Sequence, residues 1–165
     1  MIKVICNASP VIGLIGIGKL SLLWELFDEV IMPEAVYKEI CAGNRTSEIA
    51  LIVDAIKNGH IKVITIRGKD MADLLYGKLH KGELETVIGA KEDSDINFAI
   101  IDEKAARSFA ATMLVDTLGI LGILSHAKAK GLIEAVRPYL DKLIENHYRI
   151  SDALYNRVLK RENEL

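Results

Sequence analysis

Hydrophobic and polar positions along the chain alternate between two periods, one that suits strands and one that suits helices. The stretch IKVIC (2–6) is short, β-branched and apolar, as a strand covered on both faces of a parallel sheet should be. Ser9 and Pro10 then open a helix, the hydroxyl capping free amides and the proline tolerating the first helical position. Residues 11–17 are almost wholly apolar, and LSLLWELF (20–27) has helical spacing at Leu20, Leu23, Trp24 and Phe27. EVIM (29–32) predicts a second strand, and Pro33 opens a helix to about Cys41 that Gly43 and Asn44 stop.

The same alternation continues. Residues 47–58 keep the helical period through Ile49, Ile52, Val53 and Ile56, HIKVITI (60–66) predicts a third strand, and short helices follow over 70–79 and 83–92. DINFAIID (95–102) predicts a strand, a helix starts at Glu103, and TMLVD (112–116) predicts the last strand. Beyond it only helices are expected, over 117–130, 134–146 and 151–163, the last with Ser151 as its cap and Ile150 and Tyr155 as a hydrophobic staple.

Strands separated by helices of this length require crossover connections. The fold class is therefore α/β: a three-layer α/β/α sandwich with a central parallel sheet and extra C-terminal helices. Residues 1–165 read as one domain, with an α/β core over 1–116 and helices over 117–165 packed on it. Half the residues are hydrophobic and only three are proline, which excludes a disordered chain. The formal charge of −2 supplies no global field for nucleic acid, so any such binding needs a local patch. Cys6 and Cys41 form no metal or disulfide spacing and suit a reducing cytoplasm. The first apolar run is broken by Asn7, Ser9 and Pro10 too early for a membrane span, so no membrane association is expected.

In open parallel sheets, ligands gather beyond the carboxyl ends of the strands. Asn7 follows the first strand, Asp102 ends the strand at 95–101, Glu39 sits on the rim of a helix's apolar face, and Glu83 lies at a helix N-terminus. Each has an ordinary structural use: Asn7 and Asp102 as caps, Glu39 and Glu83 as solvated rim charges. Together, oxygen ligands converging at one edge are what Mg²⁺ or Mn²⁺ takes, and such an ion stabilises both oxygens of an in-line displacement at phosphorus.

With these residues the chain resembles the PIN domain family, and in particular PIN-like proteins related to VapC-type toxin ribonucleases. The likeness runs through NASPVIGLIGIGKLSLL, VIMPEAVYKEI, KGELETVIGAKE, FAIIDEKAAR, TLGILGILSHAKAKGLI and RPYLDKLIENHYRISDALYNRVL. It implies a Mg²⁺- or Mn²⁺-dependent hydrolase of single-stranded RNA. Glu39, Glu83 and Asp102 would be catalytic and metal-binding, and Asn7 a neutral metal ligand. Glu85 and Glu103 are alternates to Glu83 and Asp102, and Ser9 matches a hydroxyl found near the metal. It also implies a homodimer and an antitoxin protein partner. Asn7 departs from the acidic residue usual there, which leaves a rival reading: an inactive PIN-like domain that binds RNA or a protein.

Lys78, His80 and Lys81 before the Glu83 helix, and Lys104 and Arg107 after Asp102, are candidate phosphate contacts or else a solvated face. GLIGIG lacks the order of a dinucleotide turn and falls inside a helical segment, and the four histidines share no metal-ligand spacing.

Overall fold

The computed structural model describes residues 1–74 and 79–165. Its elements run β1 (Lys3–Cys6), α1 (Ala8–Gly16), α2 (Leu22–Leu26), β2 (Glu29–Pro33), α3 (Glu34–Ala42), α4 (Thr46–Lys57) and β3 (Lys62–Ile64). They continue with α5 (Lys69–Leu74), α6 (Lys81–Glu92), β4 (Ile96–Ile100), α7 (Lys104–Thr112), β5 (Thr117–Leu118), α8 (Ile120–Ala129), α9 (Arg137–Glu145) and α10 (Asp152–Arg161). The strands form one all-parallel sheet in the order β3-β2-β1-β4-β5. The helix expected over 70–79 is seen as α5; residues 75–78, Lys78 among them, lie outside the described residues.

Side chains of a strand point alternately to its two faces, and the core divides accordingly. Val4, Cys6, Val30, Met32 and Ile100 join one apolar cluster with α1, α2, α3, α8, α9 and α10. Ile5, Ile31, Ala99 and Ile101 join a second with α6 and α7. Three layers follow from that division. The C-terminal helices belong to the first cluster through Leu140, Leu143, Val158 and Leu159. Near the chain's end the Glu164 carboxylate accepts from the Val136 and Arg137 backbone N–H groups at the start of α9, at 2.8 and 2.9 Å.

One strand lies elsewhere than the sequence pattern predicts. Residues 112–116 do not form the last strand, because α7 runs on to Thr112 and closes with Leu114 in the left-handed conformation (φ 59°). The Leu114 N–H then donates to Ala111 O and the Val115 N–H to Ala110 O, a Schellman ending that consumes the apolar run. The strand is instead Thr117–Leu118, in register with Ala99 and Ile100, so the sheet extends past residue 116 and α8 starts at Ile120. Ser151 does cap α10, its Oγ accepting from the Leu154 N–H at 3.1 Å.

Helix α6 lies unusually close to the sheet at Gly89. A Cβ there would stand 2.7 Å from both Ile5 Cδ1 and Ile66 Cδ1, inside van der Waals contact in a fully buried layer. Gly89→Val is expected to destabilise the fold by about 1–3 kcal/mol, read as a lower urea midpoint; an unchanged midpoint would contradict this packing.

Candidate functional site

The strand order reverses between β1 and β4: the chain moves outward from β1 to β2 and β3, then returns to the other side of β1. At such a reversal neighbouring crossovers leave on opposite faces and open a crevice at the carboxyl edge. Asn7 and Asp102 stand on either side of it.

Asn7 lies one residue beyond β1, in extended backbone, and its N–H donates to Ile100 O of β4 at 3.0 Å. Helix α1 begins directly afterwards at Ala8, so Asn7, not Ser9, occupies the cap position, and its side chain caps nothing. Asn7 Oδ1 is buried and has no hydrogen-bond partner. An orphan of this kind costs roughly 1–3 kcal/mol. Neither capping nor a turn therefore explains the residue. Pro10 stays compatible with the first turn, where backbone N–H groups lack helical partners.

Across from it, α6 enters through Gly82. A Cβ on that glycine would lie 3.3 Å from Glu39 Oε2 and 3.7 Å from Asn7 Oδ1. The missing side chain thus leaves a notch that the Asn7 carboxamide and the Glu39 carboxylate both face. The next residue, Glu83, is 5 % exposed, which removes the solvated-rim reading. Its pKa is raised, first by burial and then by the field of Glu103, with a smaller contribution from Glu39; the nearby His80 and its backbone N–H pull the other way. Carboxylates from α3, α6 and the β4–α7 junction therefore feel one another at this edge.

Asp102 does not cap the helix after it either, since Glu103 holds that position without a side-chain cap. Its Oδ1 accepts from the Ile120 N–H at the start of α8, at 2.8 Å, and its Oδ2 takes a short hydrogen bond from the Tyr148 hydroxyl. A Cβ on Gly119 would come within 2.8 Å of Asp102 Oδ1 and 3.2 Å of the Arg107 guanidinium, so a glycine is needed for this approach. Burial, with a smaller contribution from Glu103, pushes the Asp102 carboxyl up to about 6 against the opposing Ile120 hydrogen bond and Arg107 charge. Although β1 and β4 are neighbours, the Asn7 and Asp102 side chains do not hydrogen bond. Glu103 is the exposed carboxylate of the pair and lies within the field of both Glu83 and Asp102.

Three concavities adjoin along this edge. One of about 570 Å³ is lined by Glu39, Glu85, His80 and Lys81 among others. The next, of about 810 Å³, shares Glu39 and adds Ser9, Arg45, His147 and Tyr148. The third, of about 340 Å³, shares Tyr148 and adds Asp102 and Arg107. Glu85 is buried beside Glu83. Lys104 is exposed at the first residue of α7. Sequence reasoning missed Tyr148, which reaches Asp102 from 46 residues away, and Gly82, whose use is the side chain it lacks. Nothing local marks Tyr148, while Gly82 stands beside the singled-out Glu83.

As placed, no three His, Cys, Asp or Glu side chains among the described residues close around a common metal position. The donor chemistry nevertheless fits a hard cation: an unsatisfied buried carboxamide oxygen, a notch that a Cβ would fill, and a buried Glu83 whose charge the neighbouring carboxylates disfavour.

A family model described as a PIN domain matches residues 3–164. No curated protein and no solved structure matches the chain.

The raised Asp102 pKa has a defined effect on stability. The folded state holds this proton more tightly than the unfolded chain, so the group's contribution is present below its ordinary value of 3.8 and is lost as pH rises through about 6. In EDTA, the stability of Asp102→Asn relative to the parent should therefore climb between pH 4 and 7, by up to about 3 kcal/mol. A gap that stays constant across denaturant titrations at those pH values would contradict it.

Proposed function

We propose a function from one premise: the chain belongs to the PIN domain family, whose model matches it from residue 3 to residue 164. A PIN domain is a nuclease-type fold. The finer reading is a divalent-metal-dependent ribonuclease that hydrolyses phosphodiester bonds of single-stranded RNA. The observation that carries it is the orphan Asn7 Oδ1 facing the Glu39 carboxylate across Gly82, with Glu83 and Glu103 within electrostatic reach.

Asn7, Glu39, Glu83 and the Asp102–Glu103 pair would hold Mg²⁺ or Mn²⁺. When bound, the ion supplies Lewis-acid stabilisation of the phosphoryl oxygens and activates water. The chain's own residues do the positioning. Asn7 offers a neutral oxygen that needs no deprotonation. Glu83 sits in a desolvated position where a cation removes the penalty of its charge. Asp102 is fixed in orientation by the Ile120 N–H and the Tyr148 hydroxyl, leaving Glu103 as the solvent-facing carboxylate. Ser9, one turn-start away from Asn7 and lining the central groove, is placed to contact substrate or ordered water.

A second reading has its own observations. Asn7 brings one fewer negative charge than an acid would, and both oxygens of Asp102 are engaged by the chain itself. These favour a domain that keeps the fold and binds RNA without cutting it.

Cleavage of labelled single-stranded RNA in Mn²⁺ separates the two. The nuclease reading expects cutting that EDTA abolishes and that Glu39→Gln and Glu83→Gln each reduce by about 100-fold or more. Silence of the parent with cutting restored by Asn7→Asp would instead establish the non-cutting reading, and undiminished cutting by both glutamine variants would remove these residues from the site.

A further inference from the structure

The three grooves at the carboxyl edge differ in charge. The central one carries Glu39, Glu48 and Glu145 against Arg45 and His147. The smallest, about 340 Å³, reverses that balance: Arg107, Arg149 and Arg161 line it with Asp102 as the sole carboxylate. All three arginines are exposed to solvent. They come from three separate elements, Arg107 from the first turn of α7, Arg149 from the segment between α9 and α10, and Arg161 from the end of α10. Local sequence therefore gives no sign that they share one cavity.

Their partners sharpen the contrast. Among the described residues, neither Arg107 nor Arg149 forms an ion pair, while Arg161 donates to Ser125 Oγ at 2.9 Å and lies 3.7 Å from Glu162. Arg107 is held over Gly119, close to the Asp102 carboxylate. Three guanidiniums lining one concavity concentrate positive charge there, and the planar guanidinium fork matches phosphate oxygens. The rest of the cavity's wall is formed by Thr117 to Gly119, Leu121, Tyr148, Ile150 and Leu154 among others.

We propose that this arginine-lined cavity is a phosphate subsite that seats a backbone phosphate of the RNA strand next to the scissile one. The inference rests on the reading that the acidic edge handles RNA. It assigns to Arg107, Arg149 and Arg161 the local positive field that a chain of net charge −2 lacks overall. It also gives the strand a direction of travel. The substrate leaves the Asn7–Glu39–Glu83 notch past Tyr148, which lines both the central groove and the arginine cavity, and enters beside Asp102.

Binding without cleavage tests this apart from catalysis. A labelled single-stranded RNA is titrated in EDTA by fluorescence anisotropy at several salt concentrations, with the parent, the double variant Arg149→Ala/Arg161→Ala, and Arg149→Lys/Arg161→Lys. The double alanine variant is expected to weaken binding about tenfold at low salt and to flatten the dependence of log Kd on log salt by about 0.7, the share of one phosphate contact on a single strand. The lysine pair keeps the charges and should retain most of that slope. Because both side chains are exposed, circular dichroism and the melting temperature should match the parent. An unchanged Kd and slope would overturn the subsite even if the parent cuts RNA. A weakened but slope-neutral alanine variant would overturn it too, as would a parent that binds an acidic peptide and no RNA. A parent that never cuts RNA but shows the expected slope change would leave the subsite standing and remove only the nuclease reading.

Discussion

The parallel pairing of β1 with β4 is the interaction on which the rest depends. In this pairing the Asn7 N–H is bonded to Ile100 O, which fixes the ends of the two central strands side by side at the place where strand order reverses. Everything polar at the carboxyl edge is measured from that junction. Helix α1 must start at once, leaving no room for Asn7 to cap it. Helix α6 crosses close over the sheet on Gly89 and brings Gly82 and Glu83 to the same edge. The β5–α8 turn, one strand further out, presents the Ile120 amide to Asp102.

The edge so formed is electrostatically unfavourable by itself. Glu103 raises the cost of ionising both the buried Glu83 and the half-buried Asp102, and the Asn7 oxygen is buried without a donor. Such an arrangement survives where the rest of the fold over-determines it, here two apolar clusters on opposite faces of the sheet. The chain relieves part of the strain internally, through the Tyr148 hydroxyl and the Ile120 amide on Asp102. What remains unrelieved is the Asn7 oxygen and the buried Glu83, with the exposed Glu39 nearby, and that asymmetry divides the edge into an acidic half and a half lined by arginine.

Much of the framework was legible because it is written in local pattern. Short β-branched runs separated by helical periods could only become parallel strands with crossovers, and Ser151 capped the helix it preceded. The last strand lies beyond the place its pattern predicts because TMLVD carries apolar residues in either state, and a Schellman ending at Leu114 decides for the helix. Of the site, Asn7, Glu39, Glu83 and the Asp102–Glu103 pair were visible as polar groups at predicted strand and helix ends. Their separate uses were not. Only the packed structure reveals that the Asn7 oxygen is orphaned, that Tyr148 occupies Asp102, and that Arg149 and Arg161 line one cavity with Arg107, because each of these depends on packing between segments distant in sequence.

The proposed function makes the Asn7–Glu39–Glu83 notch a divalent cation site. Mn²⁺ titration followed by the electron paramagnetic resonance of the free ion tests it without reference to RNA. A cation site in the notch gives saturable binding in the parent, tightened by Asn7→Asp and weakened about tenfold or more by Glu83→Gln, in line with the charge each change adds or removes. Binding that is absent from both the parent and Asn7→Asp, or that is identical in all three proteins, would contradict it.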